Sequence, residues 1–141
     1  YKRNNIVCVF NDNIFRTNNV FDELKYYLKI LKCNNIDERI NDFINYFKIE
    51  SIIDFKFNEL KNEDRIYIKL LSLLIIKPSL YCVDDLFAYL SVDKKKRIIN
   101  YIKENPNITR YELSKKLGIT PDGVKYNLNK LVKNNIIERV G

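Results

Sequence analysis

The stretch that most limits what this chain can fold into is LSKKLGITPDGVKYNLNKL, residues 113 to 131. Upstream of it, Thr109 followed three residues later by Glu112 has the form of a capping box that opens a helix. Leu113 and Leu117 stand one turn apart and predict the buried face of that helix, and Gly118 supplies the left-handed residue that ends it. Thr120-Pro121 then provides a cap and a preset first residue for a second helix. In that helix Val124, Leu128, Leu131 and Val132 follow the i, i+4, i+7, i+8 spacing of one buried stripe. Asp122, Lys125, Tyr126, Asn129 and Lys133 are left on the opposite face. Asn134-Asn135 ends the helix, and IIERV at 136–140 reads as a short strand. The expected order is therefore helix, tight turn, helix, strand.

Charge separates this end of the chain from the rest. Residues 1–93 hold 13 Lys and Arg against 14 Asp and Glu, whereas residues 94–141 hold 12 against 4. The two parts carry −1 and +8, which together give the net charge of +7. A surplus of that size on fewer than fifty residues is the electrostatic footprint of a polyanion binder. A solvated basic face gives the same count, and its coincidence with the helix-turn-helix is what favours the polyanion. With 46% hydrophobic residues in 141, the chain has the material for a core as one domain or two small ones. No apolar run reaches the length of a membrane span, and the Asn-rich N-terminus leads into no signal-peptide core, so a cytoplasmic protein without membrane insertion is expected. Cys8, Cys33 and Cys82 are odd in number and far apart, and the chain has no histidine; reduced, partly buried thiols are expected in place of a disulfide framework or a zinc site. The chain has no methionine and begins at Tyr1, which reads as a piece of something longer.

Taken in order, IVCVF at 6–10 reads as a short buried strand. Apolar residues at 20, 24, 27, 28 and 31, and again at 36, 40, 43, 44 and 47, predict two amphipathic helices, the second opened by a capping box of Asn35 and Glu38. A third helix is expected to start near Asn62 and to end at Lys77-Pro78, because Pro78 disfavours a helical residue before it. It is apolar almost all round and so is expected to be buried. LYCV at 80–83 reads as a second strand, and the one candidate boundary lies near Ser91 to Asp93. The fold class expected is mainly α with minor β, with units at 1–91 and 92–141.

The pattern T-x-x-E-L-x-x-x-L-G-I-T-P-x-x-V-x-x-x-L-x-x-L resembles a winged helix-turn-helix DNA-binding domain over roughly residues 94–141. The resemblance makes Ile98, Ile99 and Ile102 of the preceding helix the third side of its core. It implies that the second helix enters the major groove of double-stranded DNA and that a hairpin, the wing, touches the backbone. A returning strand is not among the 141 residues, so the wing is expected to be incomplete beyond Arg139. Lys125, Tyr126 and Asn129 are the expected base contacts, Asn129 having the amide that pairs with adenine. Thr109, Arg110, Lys115, Lys116, Lys133 and Arg139 are the expected phosphate contacts.

The first ninety residues resemble, more loosely, an ABC-type ATPase domain from its glutamine loop to its D-loop. VCVFND at 7–12 and NVFDEL at 19–24 stand for V-x-F-Q-D and T-V-x-E-N-L, and Leu60, Pro78 and Asp84 fall into the register of L-S-G-G-Q, the preceding proline and L-L-D-E-P. The resemblance implies a decayed site. Asn11 stands for the glutamine, Lys61-Asn62 for Ser-Gly of the signature, Asp85 for the catalytic glutamate and Leu86 for the proline, and Asp84 alone is unchanged. Glycines occur only at 118, 123 and 141, so the chain has no phosphate-binding G-x-x-x-x-G-K-[ST] loop. Asn11, Asp84 and Asp85 are therefore expected as a vestigial nucleotide site, with no catalytic residue and no cofactor. The expected function is a DNA-binding regulator whose first part serves dimerisation, sensing or partner binding, with a homodimer left open. The alternatives are a diverged ATP-binding subunit of a transporter with a regulatory tail, and a tail that binds protein or RNA.

Overall fold

A computed structural model of the chain describes residues 6–10, 12, 14–78, 80–83, 85–104 and 110–134. Its elements are β1 (Ile6–Val9), α1 (Val20–Ile30), α2 (Ile36–Phe47), α3 (Asn62–Leu74), β2 (Leu80–Val83), α4 (Val92–Glu104), α5 (Arg110–Leu117) and α6 (Pro121–Lys133), with short 3-10 turns at 50–52, 57–59 and 86–89. The mainly helical class with two short strands is as the periodicity predicts.

The core follows from the apolar spacing. Val20, Leu24 and Leu28 of α1 and Ile40, Phe43 and Phe47 of α2 close on α3, whose Ile66, Tyr67, Ile68, Leu70, Leu71 and Leu74 are all buried. The α1 helix starts where Asn19 accepts a bond from the Asp22 N–H at 2.8 Å and returns one from its own amide to the Asp22 carboxylate at 2.7 Å. Asn35 does not play that part in α2. It sits at the cap position in the left-handed region, with φ 53°, and its side chain makes no capping bond, so the Asn35/Glu38 box read from the sequence is absent. A side chain that caps a helix stands on extended backbone, and Asn35 instead takes the left-handed φ that Asn tolerates.

The two strands pair in parallel, with Ile6, Val7, Cys8 and Val9 opposite Leu80, Tyr81, Cys82 and Val83. Strand alternation sends Val7, Val9, Tyr81 and Val83 toward the core. The Tyr81 hydroxyl donates to the Leu70 carbonyl of α3, and burial pushes that phenol well above its usual range. The cysteines point the other way. Cys8 and Cys82 are exposed and Cys33 is half-buried, so the expectation of partly buried thiols holds for Cys33 and fails for the other two.

One buried carboxylate holds the loop before α1. Glu23 is 2% exposed and accepts the N–H of Arg16 at 3.0 Å, the N–H of Thr17 at 2.9 Å and the Thr17 hydroxyl at 2.9 Å. A bond to an ionised acceptor contributes about 1.5–3 kcal/mol. Glu23→Gln keeps one acceptor oxygen and loses the charge, and is expected to lower unfolding stability by about 1–2 kcal/mol. Urea titration followed by circular dichroism checks this, and an unchanged midpoint would contradict the role given to Glu23.

The α4 helix is built into this core. Ile98 is fully buried, the Tyr101 ring lies 5.1–5.3 Å from the rings of Phe43, Tyr46 and Phe47, and Arg97 donates to the Phe47 carbonyl at 3.1 Å. Lys94 reaches back to α3, 2.8 Å from Asp64 and 3.4 Å from Glu63, and lies over the Tyr67 ring. Ile98, expected on the third side of the helix-turn-helix core, thus belongs to the core of the first ninety residues, with Ile102 packed against its edge.

Candidate nucleic-acid interface

The α5 and α6 helices form the helix-turn-helix that the glycine and the Thr-Pro pair predict. At the end of α5, Gly118 takes φ +65°, and the Ile119 N–H reaches back to the Ser114 carbonyl at 3.2 Å, the Schellman arrangement that satisfies the last carbonyls. Thr120 then caps α6, its hydroxyl accepting the Gly123 N–H at 3.0 Å, and Pro121 occupies the first turn. The turn between the helices is fixed by these bonds.

The faces are largely as the spacing predicts. Val124 is buried, and Leu128, Leu131 and Val132 are half-buried beside it. Leu113 is 5% exposed and Ser114, whose hydroxyl donates to the Tyr111 carbonyl, is 4% exposed. Leu117 departs from expectation at 51% exposed. Its spacing from Leu113 fixes direction but not depth, and as the last residue of α5 it stays half open.

Asp122, Lys125, Tyr126, Asn129 and Lys133 all lie on the exposed side of α6, Tyr126 at 69%. The geometry adds Lys130, which the sequence reading passed over although it lies one turn after Tyr126 and is also exposed. On α5, Arg110 is exposed, and Lys115 lies 4.6 Å over the ring of the exposed Tyr111, which holds that ammonium at the surface. Among the described residues, none of Arg110, Lys115, Lys125, Lys130 or Lys133 forms a salt bridge. Two cations of α4 differ: Lys94 is held by Glu63 and Asp64 and Arg97 by Asp93 at 2.7 Å, so neither is available to a polyanion at no cost, whereas Lys96 and Lys103 are exposed and form no salt bridge among the described residues. Thr109 and Arg139, the capping box at 109–112 and the strand at 136–140 lie outside the described residues, as does the Lys116 side chain.

In the N-terminal part, the parallel strands end with Val9 opposite Val83, and the chain continues to Phe10 and Asp12 after one strand and to Asp85 after the other. Asp85 is exposed, with φ 49°; Asn11 and Asp84 lie outside the described residues. A small cleft of about 170 Å³ opens nearby, lined by Asp12, Arg65, Lys69 and Tyr89 among others. Its charged groups are engaged with one another or with the backbone: Asp12 pairs with Lys69, and the Arg65 Nε donates to the Phe57 carbonyl at 2.8 Å. Burial lowers the Lys69 ammonium from its usual value. Lys61-Asn62-Glu63 starts α3, and Glu63 accepts the Ser91 N–H at 2.8 Å, a bond that holds its carboxyl below the usual range. Among the described residues, no group of three or more His, Cys, Asp or Glu side chains is placed to hold a metal ion, and no helix is long and apolar enough to cross a membrane.

Residues 93–138 match the family of winged helix-turn-helix DNA-binding domains. The match begins with α4 and runs through α5 and α6, so the helix embedded in the N-terminal core is also the first helix of the matched segment. No curated protein matches the chain.

Proposed function

We propose that the protein is a DNA-binding regulator that docks α6 in the major groove. The observation that carries this reading is the exposed face of α6, which places Lys125, Tyr126, Asn129, Lys130 and Lys133 together on the third helix of a segment matched to DNA-binding domains. In this reading Lys125, Tyr126 and Asn129 face base edges, while Arg110, Lys115 and Lys133 neutralise phosphates, with Thr109, Lys116 and Arg139 completing the backbone contacts. The first ninety residues are the regulatory platform, and α4, shared between the two parts, carries any rearrangement of that platform to the DNA-binding helices. Fluorescence anisotropy with a library-selected duplex against random duplex tests it, with specific binding expected and loss of all duplex affinity the contrary result.

A second reading of the first ninety residues, a decayed ABC-type ATPase segment, is favoured by one observation: β1 and β2 run parallel and in register, so the residues after Val9 and Val83 emerge side by side. Ligands of open α/β sheets bind at such strand ends. The chain nevertheless has no phosphate loop, and it presents Lys61-Asn62-Glu63 where glycine amides would have to approach a phosphate. Calorimetry with Mg-ATP is therefore expected to show no binding at micromolar concentration. Tight binding abolished by Asp84→Asn would promote the transporter-subunit alternative over the regulator.

A further inference from the structure

Cys8 and Cys82 are 74 positions apart in the chain and directly opposite each other in the parallel ladder. Both are exposed, on the face of the sheet turned away from α3. In-register residues of a parallel pair leave the same face of the sheet side by side, which sets the two thiols next to each other. Partial burial, and then the neighbouring Cys8, raises the Cys82 thiol above its usual value. The chain has no histidine, and among the described residues no group of three or more ligating side chains is placed to hold a metal ion.

We propose that Cys8 and Cys82 form a redox-sensitive dithiol that closes to a disulfide by exchange with a low-molecular-weight disulfide and reopens with the corresponding thiol. The Cys8 thiolate attacks one sulfur of the small disulfide, whose S–S bond breaks; the departing thiolate takes up a proton and a mixed disulfide remains on Cys8. The Cys82 thiolate then attacks the Cys8 sulfur, expels the second small thiol, and the Cys8–Cys82 bond forms. Two protein thiols have been oxidised by two electrons, and the small disulfide has been reduced to two thiols.

Strand geometry permits this bond. Neighbouring strands are about 4.8 Å apart, within the Cα separation of about 4.4–6.8 Å that a disulfide spans. Exposed disulfides are open to exchange with small thiols. The bond joins the strand that begins the described fold to the strand that precedes α4.

The test equilibrates the full chain with mixtures of reduced and oxidised glutathione, traps free thiols by alkylation, and maps the peptides without reduction. Under oxidising mixtures a Cys8–Cys82 link is expected with Cys33 alkylated, and reduced glutathione is expected to reverse it. Cys33→Ser should behave as the unaltered chain, and Cys82→Ser should stop at a glutathione adduct on Cys8. The proposal fails if Cys8 and Cys82 both stay alkylatable in the most oxidising mixture, if the unaltered chain accumulates the same Cys8 adduct as Cys82→Ser, or if the link involves Cys33.

Discussion

Ile98→Ala is expected to destabilise the whole protein by about 2–5 kcal/mol, the usual result of emptying a fully buried aliphatic site. The side chain has no exposed surface and sits in the cluster that contains Phe43, Phe47 and Leu71. For a chain of this size, a loss near the middle of that range lowers the unfolding midpoint by roughly 10 °C. The consequence reaches beyond stability because α4 is also the first helix of the segment matched to DNA-binding domains. Thermal unfolding followed by circular dichroism and by duplex binding should therefore show both signals shifting together. A main transition that stays in place while binding alone disappears would mean that Ile98 serves the C-terminal helices and not the N-terminal core.

Much of this was legible in the sequence, for reasons that differ from element to element. The extents of α1 and α2 and the start of α3 follow from apolar spacing, whereas α3 ends at Leu74, short of the Lys77-Pro78 stop, because Pro78 sets only an outer limit on the helix. The Schellman turn at Gly118 and the Thr120 cap follow from residues whose conformational preferences are strong and local. What the sequence does not show is pairing across distance. That IVCV lies parallel to LYCV, that Cys8 therefore faces Cys82, and that Ile98 joins the N-terminal core while Tyr101 packs on Phe43 and Phe47 are consequences of tertiary packing, which a helical wheel or an alternation pattern leaves open. The exposed face of α6 was readable in the same way as its buried stripe, and Lys130 was missed there although the same wheel shows it. Asn35 illustrates the converse: a cap residue type at a cap position, with a left-handed backbone and no capping bond.

Duplex binding should respond in two separable ways to changes on this surface. Replacing Arg110, Lys115 and Lys133 together by alanine removes three cations that form no salt bridge among the described residues. Each phosphate no longer neutralised should flatten the dependence of log K on log salt by about 0.9, and three together should weaken binding roughly a hundredfold near physiological salt. Because phosphates carry no sequence information, selected and random duplexes should weaken alike. Asn129 is exposed on α6, one turn beyond Lys125 and away from Val124, so its replacement leaves the buried stripe intact. Asn129→Ala should narrow the gap between selected and random DNA by about 1–3 kcal/mol, the discrimination given by one good base contact.

The most direct test of groove docking is the ratio of affinities for selected and random duplex, measured by anisotropy across a salt series for the unaltered chain, Asn129→Ala and the triple variant. With α6 in the major groove, Asn129→Ala lowers the ratio and leaves the salt slope in place, while the triple variant flattens the slope and leaves the ratio in place. If Asn129→Ala left the ratio unchanged and the triple variant altered it, α6 would not lie against base edges, and a protein- or RNA-binding role would become the better account.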